Sequence, residues 1–394
     1  MPRLAYLFER FPSFGQTFCY REVAELRRQG ADISIFSIRR PNDEPTQDWD
    51  ANIVAHVFYL PEEAELVEEV ERLIRQKELP DQAVRAIKEW GRRPDFLRLH
   101  QAAYIGVRLR EVGIKRVHAH FAGMAARTAY WIKEFFGIDF SLTAHANDIF
   151  APRDFTISLT NLFDAAKLIV TVSDFAVAQL QKKFPHNAGK IHRVYNGIDV
   201  NQFTPANFAN EIPLILSIGR LIEKKGFADL IRACQRLRSA GRNFRCEIIG
   251  EGPLEDSLRA QISDLDLADC VQLVGPKTQQ EIGERLAAAN VFALPCVVTA
   301  DGDSDNLPTV IMEAMAAGLP VVSTSVAGIP EMIQPGVNGE LVRPGDLGQL
   351  ATVIDSAFSD RARAQNFGTR GRQLAAEKFS LTENISQLRG LIEL

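Results

Sequence analysis

Short apolar runs bounded by turn residues recur through the first half of the chain, at residues 4–8, 33–38, 54–59, 117–120, 140–143, 168–172 and 191–194. Their continuous apolar character predicts strands buried on both faces. Helical patterns fill the intervals, such as residues 20–29 closed by Gly30 and residues 124–136 closed by Gly137; a glycine there can take the left-handed conformation that ends a helix. Strand and helix in alternation predict a parallel, doubly wound sheet. The rhythm breaks over residues 203–213, FTPANFANEIP, a polar stretch with two prolines that reads as an interdomain linker. It restarts with strands at 214–218, 245–249, 271–274, 291–294 and 321–323, separated by helices such as 227–240 and 254–265. The expected class is α/β, with one doubly wound domain over residues 1–205 and a second over 206–375. In the remaining segment, 376–394, Ser380 followed three residues later by Glu383 forms a capping box that starts a last helix near Leu381.

One run gathers more polar groups than any other, residues 301–331, DGDSDNLPTVIMEAMAAGLPVVSTSVAGIPE. Its opening residues favour turns. A helix over 309–317 follows, stopped by Gly318 and Pro320, and a short buried strand over 321–323 comes next. The start of that helix offers N–H groups and partial positive charge to a phosphate or a sugar hydroxyl.

Composition narrows the function classes. The chain has 394 residues, 46% hydrophobic and 24% charged, enough for two cores of roughly 200 residues each. A net charge of -5 lacks the basic excess of a nucleic-acid binder. Cys19, Cys234, Cys246, Cys270 and Cys296 show no CxxC spacing, which gives no metal framework and suits reduced thiols in a cytoplasm. The N-terminal MPRLAYLFERFPSF has no apolar signal core, and no run approaches the roughly 20 apolar residues that span a bilayer. A protein neither secreted nor integral is expected. Charge is uneven, however: residues 43–78 are acidic, whereas 85–133 carry Arg85, Lys88, Arg92, Arg93, Arg98, Arg108, Arg110, Lys115, Arg116 and Arg127 against few acids. Two readings stand, a solvated helical surface or a face for anionic lipid headgroups, to which each basic residue contributes about 1 kcal/mol.

Candidate chemistry clusters where strands end. After the first strand of the second half stands SIGRLIEKKG, in which Arg220 offers a planar fork and Lys225 a mobile point charge, a pair suited to a diphosphate if not simply solvated. Gly250-Glu-Gly252-Pro253 either lets backbone approach a ligand or makes a tight strand-to-helix turn. The GxGxxG fingerprint is missing because Glu255 and Asp256 fall where its last glycine belongs, so NAD is not expected. Asp305 and Glu313 stand eight residues apart, one in a loop and one on a helix. Glu313 can accept bonds from ribose hydroxyls or be a surface charge, and its neighbours Ile311, Met312 and Met315 argue against free solvation. Asp301-Gly-Asp303 alone is a weak metal signal. In the first half, His118 and His120 are expected to point to opposite faces of their strand and not to line one site together. His145, in TAHAND after a buried strand, is either a ligand group or a satisfied core histidine. The loop RFPSFGQTF after the first strand carries Gly15, which allows close approach to an anion at the following helix start.

Taken together these residues resemble the retaining glycosyltransferases of family four, which have the GT-B fold of two facing Rossmann-like domains. The likeness covers nearly the whole chain. It rests in the second half on Gly219-Arg220 with Lys225-Gly226, on Gly250-Glu-Gly252-Pro253, and on Asp305 through Glu331 with Pro308, Glu313-Ala314, Gly318, Pro320 and Pro330. In the first half FPSFGQTF, VHAHFAG, SLTAHANDIF, VSDF and YNGID look like the branch that makes colanic acid and other exopolysaccharides.

The resemblance implies that a last helix over 376–394 packs back on the first domain. It implies a nucleotide-sugar donor, UDP- or GDP-linked, a lipid-linked or oligosaccharide acceptor, no metal cofactor, and a cytoplasmic or peripheral place at the inner membrane face. Arg220 and Lys225 would then neutralise the donor diphosphate, Glu313 hold the ribose, and Asp305 with the backbone of Asn306, Leu307 and Pro308 hold the transferred sugar. His145 would face that sugar from the other domain. Gly15, Gly219 and Gly250 would give the donor close backbone, and the groups from Leu273 and Val274 to Gly275 would read the nucleobase. Soluble-acceptor enzymes and phosphorylases share the fold, and an inactive sugar-nucleotide scaffold is a further alternative. The chain departs from the family where Asp305 stands for the usual glutamate and where Gly15-Gln16-Thr17-Phe18 replaces Ser-Glu-Thr-Phe.

Overall fold

The computed structural model describes residues 4–42, 44–45, 47–150 and 155–392; Asp43, at the head of the acidic stretch, and residues 393–394 of the last helical pattern lie outside them. Seven parallel strands form the first sheet: β1 (Leu4–Arg10), β2 (Ile33–Arg39), β3 (Val57–Tyr59), β4 (Arg116–His120), β5 (Asp139–Ala144), β6 (Leu168–Thr171) and β7 (Ile191–Arg193). Their spatial order is β3-β2-β1-β4-β5-β6-β7. The second sheet has six parallel strands, β8 (Leu214–Ile218), β9 (Arg245–Ile249), β10 (Val271–Leu273), β11 (Val291–Leu294), β12 (Val321–Thr324) and β13 (Gly339–Val342), in the order β10-β9-β8-β11-β12-β13. This is the expected pair of doubly wound, Rossmann-like domains. In each sheet the order reverses beside the first strand, between β1 and β4 and between β8 and β11. Such a switch point leaves a crevice outside the carboxyl ends of the strands.

The central strands β1, β4, β5, β6, β8, β11 and β12 are largely buried on both faces as their apolar runs require, and helices end where glycines allow. The helix Met124–Phe136 stops at Gly137, φ +67°, and Thr309–Ala316 runs out just before Gly318, φ +69°. Two expectations fail. Residues 54–59 are not one strand, because the Asp50 carboxylate accepts the N–H of Asn52 at 2.8 Å and nucleates the short helix Ala51–Val54, leaving β3 to begin at Val57. The edge strand β13, GELV, carries a glycine and a half-buried glutamate and gives no apolar run to notice.

Residues 203–213 are not a free linker. Phe203 and Phe208 are buried in the core of the second sheet, and the N–H of Ala206 bonds to the carbonyl of Ala317 at 2.8 Å. The chain crosses between the halves twice, side by side: Ile198 N–H bonds to Phe379 O at 2.7 Å and Leu381 N–H to Ile198 O at 3.1 Å. The last helix, Leu381–Ile392, then packs Ile385, Leu388 and Ile392 against Val23 and Leu26 of the helix Thr17–Arg28 in the first half. Of the basic residues, Arg98 and Arg127 are buried, so the exposed positive surface narrows to Arg85, Lys88, Arg92, Arg93, Arg110 and Lys115. Among the described residues no helix is long and apolar enough to cross a membrane.

Candidate active site

The turns after β8 and β9 are packed backbone on backbone. A Cβ on Gly250 (φ +142°) would stand 2.0 Å from Gly219 O, and one on Gly252 2.6 Å from Leu221 O. These glycines are therefore explained by the tight turn and by the contact between the two loops. Gly226, φ +71°, similarly lies under Pro295 O of the loop after β11. Gly219 leaves room for the stem of Lys225, whose Cδ and Cε would sit 3.2 Å from a Cβ there. Lys225 reaches the Asp305 carboxylate as an ion pair. Burial works against its charge, but Asp305 holds the Lys225 pKa above its ordinary value. Arg220 is exposed and, among the described residues, its side chain makes no ion pair. The two cations named by the sequence thus lie five residues apart at the end of β8, one anchored and one free.

Across from them the loop before the helix Thr309–Ala316 is held by residues of the first half. Ser173 Oγ donates to Asn306 Oδ1 at 2.6 Å, and Asn306 Nδ2 is buried without a partner among the described residues. Leu307 and Pro308 are buried. Glu313 is 1% exposed, and its Oε1 accepts from Arg21 Nη2 at 2.6 Å. Its Oε2 and the Nη1 of Arg21 are both buried and, among the described residues, unpartnered. A carboxylate oxygen and a guanidinium nitrogen left open side by side suit a ligand that both donates and accepts, as a hydroxyl does. Further bridges join the halves. Lys224 Nζ donates to Asn147 Oδ1 at 2.7 Å and pairs with Asp303 at 3.0 Å. The Glu331 carboxylate accepts from the N–H groups of Asp174 (3.0 Å) and Phe175 (2.8 Å), at the start of the helix Asp174–Lys183, and from Tyr195 Oη at 2.9 Å.

On the first sheet, β4 and β5 end in a cluster of histidines. His118 and His120 do not point to opposite faces. Residues i and i+2 of a strand share a face, and their ring centroids are 5.4 Å apart. His118 is closed off, with its ring nitrogens 2.8 Å from Ser141 Oγ and 2.9 Å from Thr143 Oγ1. His120 Nε2 is 2.9 Å from Glu22 Oε1, which also accepts from Tyr6 Oη at 2.9 Å. His120 Nδ1 lies 3.5 Å from His145 Nε2 and 3.6 Å from Cys19 Sγ. Burial alone would neutralise all three rings. It does so for His118 and His145, whose pKa falls to about 3, helped by the charge on His120. For His120 burial is outweighed by Cys19 and the Glu22 carboxylate, and its pKa rises to about 10. Burial raises the pKa of the Cys19 thiol itself, so at neutral pH Glu22 is the partner that carries the negative charge. Burial opposes ionisation of Glu22 too, yet His120 holds that carboxyl below its ordinary value.

Glu22, His118 and His120 lie close enough to suggest metal ligands, but each histidine nitrogen among them already has a side-chain partner. The acids of Asp301-Gly-Asp303 are likewise engaged, Asp301 with Thr299 and Asp303 with Lys224.

The structure therefore brings Lys225 to Asp305, Glu313 to the first half through Arg21, and Asn147, two residues past His145, to Lys224. Gly15 is exposed in the 3-10 turn Phe14–Gln16, with nothing within 4 Å of a Cβ. Leu273 ends the edge strand β10 and Val274 follows it, where Val274 N–H and Gly275 O are already bonded to Ile248 O and Gly250 N–H. Arg21, Glu22, Lys224 and Ser173 were not singled out from sequence. Arg21 and Glu22 lie inside an ordinary helical pattern, and only their place one turn past Thr17-Phe18 of the recognised loop could have pointed to them.

Residues 15–202 match the family described as Glycosyltransferase Family 4, and residues 201–374 match Glycosyl transferases group 1. The chain is 32% identical over 380 residues to a protein of Escherichia coli (strain K12) named as the colanic acid biosynthesis glycosyltransferase WcaL, covering 91% of this chain and 90% of that one. It is 46% identical over 169 residues, 42% of each chain, to the amylovoran biosynthesis glycosyltransferase AmsK of Erwinia amylovora. Among solved structures, Anabaena Alr3699/HepE in complex with UDP and glucose superposes with a TM-score of 0.75 at 17% identity over the whole of both chains. Sucrose-phosphate synthase of Thermosynechococcus elongatus gives 0.75 at 18%, over 100% and 98%. The fold is GT-B, and with its two halves matching successive parts of one family the chain belongs to the group 1 glycosyl transferases, glycosyltransferase family 4.

Proposed function

We propose that the protein is a retaining hexosyltransferase that moves a sugar from a UDP- or GDP-linked donor to a lipid-linked or oligosaccharide acceptor in exopolysaccharide biosynthesis. The observation that carries this reading is one cluster at the ends of the strands: Lys225, beside Arg220 after β8, pairs with Asp305 of the loop that leads into the helix bearing the buried Glu313, whose Oε2 has no partner among the described residues. Cations there meet the diphosphate, and the open carboxylate oxygen meets a ribose hydroxyl. Relatives support the donor class. The chain is 28% identical over 246 residues to a GDP-mannose-dependent mannosyltransferase of Mycolicibacterium smegmatis, over 60% of this chain and 64% of that one.

In the reaction, negative charge grows on the departing diphosphate while the sugar becomes cation-like. Lys225 and Arg220 stabilise the first. Asp305, beside Lys225, and the backbone from Asn306 to Pro308 hold the sugar, with His145 opposite. The acceptor hydroxyl attacks the anomeric carbon from the face that the nucleotide leaves, the glycosidic bond to phosphate breaks, and a phosphate oxygen takes the hydroxyl proton. No nucleophile from the protein is required, and closure of the halves excludes water. Metal independence is supported by the engagement of Asp301 and Asp303, so turnover is expected to survive chelator; strict dependence on a divalent ion would reject it. At the surface, Arg85, Lys88, Arg92 and Arg93 surround half-buried Trp90. We assign them contact with anionic headgroups at the inner membrane face, tested by salt-sensitive flotation with anionic vesicles.

The deciding experiment is a thermal-shift screen over UDP, GDP and ADP sugars, followed by transfer assays with the donor that stabilises. A true donor at 100 times its dissociation constant raises stability by about 2.7 kcal/mol. No stabilisation by any of the three would sink the assignment.

A further inference from the structure

We propose that Arg21, on the first half, is a donor-binding residue: its Nη1 donates to a ribose hydroxyl whose own proton goes to Glu313 Oε2, so that both halves build the ribose site. The proposal rests on the reading that Glu313 holds the ribose of a nucleotide donor. Arg21 stands on the helix Thr17–Arg28 and reaches the second half, where its Nη2 donates to Glu313 Oε1 at 2.6 Å and to Gln279 Oε1. Arginine and carboxylate commonly pair fork on fork, two nitrogens to two oxygens. Here one nitrogen serves two acceptors, and an atom on each side of the pair is left over. Glu313 Oε2 and Arg21 Nη1 are both buried and, among the described residues, without a partner. A pair that served only as an anchor would close on itself, since buried polar atoms are seldom left unsatisfied. One of the two open atoms accepts and the other donates, and a single hydroxyl answers both. A phosphate oxygen would answer Arg21 alone and be repelled by the Glu313 carboxylate.

The neighbouring contacts say which end of the donor lies here. Gln279 starts the helix Gln279–Ala288, shortly after the end of β10 where the nucleobase is expected, and its N–H donates to Gln47 Oε1 of the first half at 3.0 Å. The bridges from Lys224 to Asn147 and from Ser173 to Asn306 belong instead to the loops assigned to the diphosphate and the sugar. Arg21 and Gln47 thus close the nucleoside end of the crevice. A nucleotide gripped from both halves holds them together, which shuts out water before the sugar is transferred.

The test is calorimetry on the wild type, Arg21→Lys and Glu313→Gln with UDP or GDP, whichever the donor screen selects, and with the 2′-deoxy and 3′-deoxy forms of that nucleotide. Lysine keeps a cation for Glu313 but offers a single nitrogen where arginine has a fork. The wild type should bind one deoxy form about tenfold more weakly than the ribonucleotide. Arg21→Lys should lose about tenfold for the ribonucleotide and bind that deoxy form as the wild type does, because the hydroxyl and Nη1 act as one contact. Wild-type affinity and discrimination in Arg21→Lys, beside their loss in Glu313→Gln, overturn the proposal and leave Arg21 as the anchor of Glu313. A wild type indifferent to both deoxy forms overturns it together with the ribose role of Glu313. A wild type that binds neither UDP nor GDP overturns the donor reading on which both stand. Should Arg21→Lys not fold, hydrogen exchange of the wild type decides the matter. Slower exchange in the helix Thr17–Arg28 with the ribonucleotide, but not with the weaker deoxy form, supports the proposal; equal slowing by both forms, or slowing confined to the second half, overturns it.

Discussion

The two sides of the crevice are finished to different degrees. On the first sheet, Tyr6, Glu22 and His120 satisfy one another, and His118 is closed off by Ser141 and Thr143. Around the second sheet the polar groups are paired but incomplete: among the described residues Glu313 Oε2 and Asn306 Nδ2 are buried without partners, as is Nη1 of Arg21, which reaches Glu313 from the first half, and the side chain of Arg220 makes no ion pair. Buried polar atoms are seldom left unsatisfied in a settled structure. The difference assigns roles. On the function proposed above, the first side is built in advance and the second is completed only when a ligand arrives.

The sharpest way to break this comparison is to remove a cation from the unfinished side. Lys225→Ala should weaken nucleoside diphosphate binding by about 3 kcal/mol, on the order of 100-fold in Kd, since it deletes a charge from a desolvated pair and strands Asp305. Near-wild-type affinity in calorimetry would show the second side to be as self-contained as the first. Glu313→Gln is a gentler cut. It keeps the shape but exchanges an acceptor for a donor, so the preference for ribo- over 2′-deoxyribonucleotides should fall by about 1.5 kcal/mol, roughly tenfold, the value of a hydrogen bond to a charged group. Unchanged discrimination between the two nucleotides would return Glu313 to being simply the anchor of Arg21.

The unfinished side was also the more legible one. β8, β9 and β11 fall where their apolar runs place them, and Arg220, Lys225, Asp305 and Glu313 sit at strand ends and a helix start, which local sequence reveals. The finished side was less so. His120 depends on Glu22, 98 residues away, and Ser173 meets Asn306 across 133 residues. The first pair follows from how a helix packs on its own sheet and the second from how the two halves meet, and no local periodicity encodes either. Gly250 and Gly252 show the converse: their identity was visible, but only the fold reveals that they clear the backbone of Gly219 and Leu221.

Acidity should separate the two sides next. His118 and His145 have folded pKa values depressed to about 3, so below about pH 6.5 the unfolded chain takes up protons that the fold refuses. Stability present above that pH is lost as it falls, by up to about 1.4 kcal/mol per pH unit for each ring. His120 is shifted the other way, to about 10, and its contribution, complete below about pH 6.5, is lost as pH rises toward the folded value. Lys225, raised above its already high ordinary value, is indifferent over this window. Hydrogen exchange should therefore show β4 and β5 loosening from pH 7 toward about pH 5, where histidines in an unfolded chain are charged, while β8 and β11 hold. Equal loosening of both sheets would remove the contrast.

The smallest effect is expected beside Asn306. Ala327 adopts φ +45°, and the following Gly328 has no room for a side chain, since a Cβ there would stand 2.6 Å from Asn306 O. A left-handed alanine costs about 1 kcal/mol, which Ala327→Gly relieves, while the extra freedom of glycine in the unfolded chain takes back about 0.5–1 kcal/mol. The variant should thus melt within about 1–3 °C of the wild type, because the net change is only a few tenths of a kcal/mol. Gly328→Ala must instead push the Asn306 loop away from Ser173, and should lose turnover even where its melting point hardly moves. If both variants behave alike, the loop that carries Asn306 and Pro308 is not held by that backbone contact, and its position waits on the donor as Glu313 Oε2 does.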